Sequence, residues 1–355
     1  MDALIRDSID LLKDLIEIPS FSKEETGTAD RIQRFFQERD IPCYRKLNNV
    51  WAYNQFYDKR KPTILLNSHH DTVKPNTGYS RDPFKAAVSD GKLYGLGSND
   101  AGGPLVSLIA TFLHFYPLQE LHYNICIAAT AEEEISGRNG IELIFPLLEP
   151  IDFAIVGEPT EMHLAIAEKG LMVLDCMAQG ASGHAAREEG DNAIYKAMKD
   201  IEWFRTYKFP KESAIFGPIK MSVTVINAGS QHNVVPATCS YVVDVRTTDA
   251  YSNEEVLAII RQYVASDVQP RSTRLNPSSI TKDHPFVKAG VALGRKTYGS
   301  PTMSDQALIP VPSLKMGPGD SARSHSADEF IYLREIEEGI ELYVALLSKV
   351  LAISN

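Results

Sequence analysis

Three adjacent carboxylates, Glu132, Glu133 and Glu134, follow an apolar run over residues 123–129 that reads as a buried strand. Carboxylates this close repel. Beside a low-dielectric core they stay ionised only with a cation among them, or one of them takes up a proton. A metal ion meets that need, although a solvated helix start or loop face would also explain the triplet on its own. Other strand-like stretches end in the same residue types: residues 63–68 run into His69-His70-Asp71, residues 93–99 into Asp100, and residues 153–157 into Glu158. A later loop brings Arg323, Ser324 and His325. In open α/β sheets the loops at the carboxyl ends of the strands form the ligand crevice, so residues remote in sequence converge there.

The elements needed to position these groups are legible from periodicity. Up to about residue 167, helical spacing (Leu4, Ile5, Ile9, Leu12; Ile32, Phe35, Phe36) alternates with strand-like runs at 50–56 and 63–68, the pattern of a sheet with helices on both faces. After Gly170 the order changes. A strand over 171–178, a helix opened by Asp191, strands at 220–226 and 238–247, and a helix from the capping box Ser252-x-x-Glu255 predict a small βαββαβ sheet with two helices on one face. Helical spacing resumes from His284, and 332–352 reads as a long helix. The catalytic part is therefore expected to be discontinuous, residues 1–168 with 281–355, around an inserted domain at 169–280.

His69-x-Asp71 with Thr72-Val73, Gly97-x-x-Asp100, Glu133-Glu134, Gly157-Glu158-Pro159, Gly183-His184, Asn233-Val234-Val235-Pro236 and the late His325 occur in that order along nearly the whole chain. In this the chain resembles the M20 family of metallo-aminoacylases and peptidases. The resemblance implies an α/β fold, a zinc-peptidase-like three-layer catalytic domain with an inserted α+β (ferredoxin-like) lid and dimerisation domain. It also implies two divalent ions, zinc first and cobalt or manganese as alternatives: His69, Asp100 and Glu158 on one, Asp100, Glu134 and His325 on the other. Such a mixed N/O donor set without sulfur suits these metals better than calcium. By the same resemblance Glu133 is the general base and Asp71 orients His69. Asn233 and Arg246 are expected to bind a substrate α-carboxylate, with an ion pair to Asp244 or Asp249 as the alternative for Arg246. His184 is expected to stabilise the oxyanion across a homodimer made through the inserted domain. His70 is read as lying behind the ligands or facing substrate. Leu96 before Gly97 and Ala101-Gly102-Gly103 after Asp100 depart from the basic residues many relatives carry there.

Composition agrees. The 355 residues carry 44% hydrophobic residues, enough for two cores, and a net charge of −10 that argues against nucleic acid or an anionic membrane as partner. Four widely spaced cysteines without Cys-x-x-Cys fit reduced, buried thiols, and no apolar run reaches membrane-spanning length, so a cytoplasmic enzyme is expected. The expected reaction is hydrolysis of an N2-acyl amino acid, acetylornithine or an acetyl or succinyl derivative of ornithine or citrulline, in arginine biosynthesis. Succinyl-diaminopimelate desuccinylase or a dipeptidase is the alternative, and a non-catalytic dimeric binding module is the alternative of another class. A serine hydrolase is not expected, because no Gly-x-Ser-x-Gly elbow is present.

Overall fold

The computed structural model describes residues 1–187 and 189–351. By internal contacts the chain divides into two units: Met1–Ile166 with Ser279–Tyr298 and the described residues from Ser304 onward, and Ala167–Ser278 with Gly299–Met303. Residues 299–303 are expected within the catalytic part 281–355. They group instead with the second unit, where Gly299 lies directly against the side chains of Ile215 and Phe216.

The first unit is built on a mixed sheet. In spatial order its strands include Cys43–Lys46, Asn49–Tyr53, Asn124–Thr130, Thr63–His69, Phe153–Val156 and Ser313–Lys315. The last four are mutually parallel, and every residue of Thr63–His69 and Asn124–Thr130 is buried, as parallel strands covered on both faces require. Alternate side chains go to opposite faces. Leu65, Cys126, Ala128, Ala154 and Val156 form one core with Ile141, Ile144 and Ile309. Residues of the other parity, such as Ile64, Leu66 and Ile127, are buried on the side covered by the helix Gly103–Phe115, which itself packs against Asp2–Ile16 and Leu333–Leu351. This last helix matches the expected 332–352, of which Ala352 lies outside the described residues.

Residues 93–99 do not add a fourth strand to the central sheet. Lys92–Tyr94 belongs to a separate antiparallel sheet with Ala87–Ser89 and Phe330–Tyr332, and it stops where Gly95 and Gly97 take positive φ.

The helix Pro285–Ala292 is capped by a histidine: His284 Nδ1 accepts from the Phe286 N–H at 3.3 Å, and its ring meets Phe153 edge-on. Burial holds the imidazole below its usual range, so His284 stabilises the fold fully above the ordinary histidine pKa, and that contribution is lost as pH falls toward the folded value. His284→Asn keeps a capping acceptor that does not titrate. Urea midpoints measured from pH 7 to pH 5 are therefore expected to fall less in this variant than in the parent.

The second unit is an antiparallel sheet in the order Lys220–Ala228, Thr238–Thr247, Gly170–Gln179, Asp267–Pro270. Met172, Leu174, Tyr241, Val243 and Val245 from one face are covered by Ala197 and Phe204 of Ala193–Thr206 and by Val256 and Ile260 of Asn253–Tyr263. The first of these helices is capped by Asn192 rather than Asp191, and the second has the full capping box of Ser252 and Glu255.

Candidate metal centre

His69 closes the strand Thr63–His69. Its parallel neighbours pair His69 with Thr130 and Asn67 with Val156, so the loops carrying Glu133–Glu134 and Glu158 emerge on either side of it. Asp100 arrives by another route. Gly97 takes φ 76°, and a Cβ there would stand 2.6 Å from Thr72 Cγ2, so only glycine turns the chain at this point. The turn is gripped by a buried carboxylate from the far end of the chain: Glu329 accepts from the N–H groups of Gly97 (3.1 Å), Asn99 (2.8 Å) and Asp100 (2.9 Å). His325, at φ 59°, sits on a loop tied down by Asn76 Nδ2 donating to its carbonyl and by a bidentate pair between Arg323 and Glu335.

These loops bring the ligand-type residues together. His69 Nδ1 faces the Asp71 carbonyl at 3.0 Å and the Asp71 carboxylate at 3.4 Å, so the proton belongs on that nitrogen. Its Nε2 is buried and, among the described residues, has no hydrogen-bond partner. Around that lone pair stand Asp100 Oδ1 at 3.4 Å, Glu133 Oε2 at 3.8 Å and Glu158 Oε1 at 3.9 Å. The other Asp100 oxygen lies 3.6 Å from His325 Nε2, which is 3.0 Å from Glu134 Oε2. Asp100 thus stands between the two imidazoles, one oxygen toward each. Ligand atoms of His69, Asp100 and Glu134, and of His69, Glu133 and Glu158, lie within 4.8 Å of one another. A neutral nitrogen lone pair buried among three carboxylates is acceptor facing acceptor, and a cation resolves it.

The electrostatics express the same conflict. Burial, reinforced by Glu158, Asp305 and Glu134, drives the Glu133 carboxyl well above the usual range against the pull of His69. Burial likewise pushes Glu158 up to about 8. Hydrogen bonding to Glu134 raises His325 to about 9. For His69, burial works downward but is outweighed by Glu133, Asp100, Asp71 and Glu158, and the imidazole is held well above its ordinary value.

The fully buried Asp71 braces this arrangement. Besides His69 it accepts from Glu133 N (3.0 Å), Glu134 N (3.2 Å) and Ser22 Oγ (2.7 Å), so a single carboxylate orients the imidazole and fixes the loop that carries both glutamates. Asp71→Asn replaces one acceptor oxygen by an NH₂ group facing donors. It is expected to weaken metal retention about 10–100-fold, read by competition with a chelator.

Two carboxylates beyond those predicted also serve the centre. Asp305 accepts from Asn67 Nδ2 (2.8 Å) and Thr130 Oγ1 (2.7 Å), tying together the ends of the two strands that deliver His69 and Glu133. Glu329 was visible in the sequence only as one more acid after His325. Two other groups point elsewhere. Glu132 does not join the cluster: at φ 56° it accepts from Asn139 N and Nδ2 and shapes its own loop. His70 has both ring nitrogens taken up away from the cluster. It is buried between Thr28 Oγ1 and the Asn48 carbonyl, each at 2.8 Å, and burial lowers it to about 4.

In the second unit, His184 and Asn233 are neighbours and exposed. The strands Gly183–His184 and Val234–Val235 pair, and Ala185 N donates to the Asn233 carbonyl at 3.0 Å. Arg246 lies near the opposite end of Thr238–Thr247. Eight residues from Thr238 place it about 26 Å away along the strand. Its guanidinium forks onto Asp244, with Nε at 2.8 Å and the terminal NH₂ at 3.0 Å. Within one unit, therefore, Arg246 is not brought together with Asn233 and His184.

The sequence profile of peptidase family M20/M25/M40 matches residues 65–349, a span that holds every ligand-type residue of the centre. The chain belongs to peptidase family M20. As a member of that family it is a metal-dependent hydrolase of amide bonds. Its similarity to individual members is modest. It is 29% identical to the acetylornithine deacetylase of Proteus mirabilis, covering 80% of this chain and 78% of that one. It is 27% identical to the [LysW]-lysine/[LysW]-ornithine hydrolase of Sulfurisphaera tokodaii (94% and 93%) and 24% identical to the succinyl-diaminopimelate desuccinylase of Cereibacter sphaeroides (90% and 88%). The fold matches the aminopeptidase PepT of Bacillus cereus with a TM-score of 0.77 at 18% identity, each chain covered to 98%. It also matches the YXEP protein of Bacillus subtilis, a dinuclear metal-binding M20 peptidase, with a TM-score of 0.71 at 17% identity, each chain covered to 99%. Among the described residues no helix is long and apolar enough to cross a membrane.

Proposed function

We propose that this M20 hydrolase is a two-metal deacylase of N2-acyl amino acids, with acetylornithine or a closely related acyl ornithine or citrulline as substrate and a place in arginine biosynthesis. The observation that carries the metal chemistry is the buried, unpartnered His69 Nε2 among Asp100, Glu133 and Glu158. His69, Asp100 and Glu158 would hold one ion and Asp100, Glu134 and His325 the other. Zinc is preferred, and cobalt or manganese suit the same donors. Such ions, when bound, act as Lewis acids toward an amide carbonyl and toward water. Glu133 Oε2 takes the proton of the attacking water and delivers it to the amide nitrogen as the C–N bond breaks. Asp71 keeps the Nδ1 proton on His69 throughout.

Substrate recognition falls to the second unit in this reading. Arg246 and Asn233 receive the α-carboxylate, and His184 donates to the tetrahedral oxyanion. Arg246 still has one terminal NH₂ outside its fork with Asp244. The separation of Arg246 from Asn233 and His184 along the strand supports a homodimer in which the two ends come from different copies. Among the described residues the strand Lys220–Ala228 is an unpaired sheet edge with Val225 and Ile226 exposed, and the adjacent helix Ala193–Thr206 exposes Tyr195 and Met198, a surface suited to such pairing. Arg246→Ala is expected to raise KM more than it lowers kcat, as loss of a ground-state carboxylate contact does.

The acyl group separates this reading from a succinyl-diaminopimelate desuccinylase. A succinyl chain needs a further cation, and of Arg138, Lys169, Arg187 and Arg323 the last is already committed to Glu335. The test is amine release by chelator-stripped protein resupplied with zinc or cobalt, on matched N-acetyl and N-succinyl derivatives of ornithine, citrulline and diaminopimelate. Metal-dependent turnover greatest on an acyl ornithine or citrulline supports the proposal. Preference for succinyl-diaminopimelate, or turnover of dipeptides alone, overturns it.

A further inference from the structure

Away from the metal centre, the first unit contains a cavity of about 400 Å³, within the size range of small-molecule sites. Its apolar wall is Met162, Pro318 and Leu342; its charged groups are two arginines and three glutamates. Most of these charges are neutralised locally. Glu335 is held bidentately by Arg323, and Arg334 pairs with Glu338 at 3.4 Å. Two remain: among the described residues Arg295 and Glu161 have no side-chain partner. Arg295 Nε is buried and meets no acceptor, an uncommon condition for a group that cannot give up its proton. Both line this one cavity beside Met162, Pro318 and Leu342.

One unpaired guanidinium and one unpaired carboxylate beside an apolar wall complement a zwitterion with an aliphatic side chain. We propose that this cavity binds a free α-amino acid, its carboxylate on Arg295, its ammonium on Glu161 and its side chain on Met162, Pro318 and Leu342. The cavity is wired to the metal centre on two sides. Glu161 N and Met162 N donate to Gly319 O and Gly317 O, just after Glu158, and Glu335 anchors Arg323, two residues before His325. An occupant therefore bears on the segments that carry two ligand-type residues, the position of an effector site. An amino acid is also what an amidase of this family releases, so the site would sense product.

The test is calorimetric titration of the chelator-stripped, full-length protein with L-norvaline, n-pentanoate and n-butylamine, which needs no turnover and so stands or falls apart from the deacylase assignment. Saturable binding of norvaline, with pentanoate and butylamine each far weaker, is expected. Arg295→Leu and Glu161→Gln should each weaken norvaline by about ten-fold or more, the loss of a charge-assisted pair. Basal turnover of the metal-loaded variants should be unchanged while its response to norvaline disappears. No norvaline binding, binding that both variants retain, or pentanoate binding as tight as norvaline overturns the proposal. Melting curves of the two variants control for misfolding, and both substitutions are at the cavity wall rather than in the core.

Discussion

Glu133→Gln is expected to lower kcat by about 10²–10⁴-fold, the range for removing a positioned general base, while both metal equivalents stay bound. The adjacent Glu134→Gln should behave differently. Glu134 is the close partner of His325, so losing its charge should release one of the two ions and leave the other, with activity recovering in excess zinc. Metal content per chain, measured beside turnover, separates the two. Geometry alone would let Glu133 be a ligand, because it stands with Glu158 around His69 Nε2. If Glu133→Gln loses an ion and Glu134→Gln keeps both, the two roles must be exchanged.

The second large effect is expected at a residue that touches no substrate. Glu329→Ala leaves three interior N–H groups, those of Gly97, Asn99 and Asp100, without an acceptor. At about 1–3 kcal/mol for each buried unsatisfied group, the loss is on the order of 3–9 kcal/mol, a large part of a typical folding free energy. The melting temperature should fall by about 5–15 °C, and metal affinity should fall with it, because the turn presenting Asp100 is no longer fixed. Glu329→Gln keeps one oxygen for Asn99 and Asp100 and places an NH₂ group toward Gly97, so it should lie between parent and alanine in both readouts. Normal metal retention in a destabilised alanine variant would reduce Glu329 to a purely structural role.

What could be read from the sequence follows from where each signal is encoded. His69 ends a fully buried parallel strand, and Glu133, Glu134 and Glu158 follow others, whose unbroken apolar runs announce both the strand and its carboxyl end. Asp100 could be picked out by its glycines, but not the sheet that precedes it: Lys92–Tyr94 is three residues long and pairs with strands too short to show a period. Glu132 and Glu133 differ only in backbone conformation, αL at Glu132, and adjacent identical residues give no hint of which turns away. Glu329 was hidden because its partners are backbone amides 229 to 232 residues distant, and an amide leaves no mark in composition. His70 was misread because its partners, Thr28 and a main-chain carbonyl, are equally anonymous. For Arg246, the alternative of a pair with Asp244, two residues away on the same sheet face, is the contact found.

The insertion of one unit within the other has a kinetic consequence. His325 meets Glu134 across 191 residues, a long loop to close before any favourable contact is made. Yet, the short excursion Gly299–Met303 apart, the chain leaves and rejoins the first unit at one place, where Ile280 N donates to Ile166 O at 2.9 Å. If the second unit folds first, its own sheet holds those two ends together, the loop left to close shortens to about 78 residues, and roughly 0.8 kcal/mol of loop-closure entropy is removed from the remaining search. Refolding should then be slowed by core substitutions in the second unit, such as Val243→Ala, at the step where metal binding first appears.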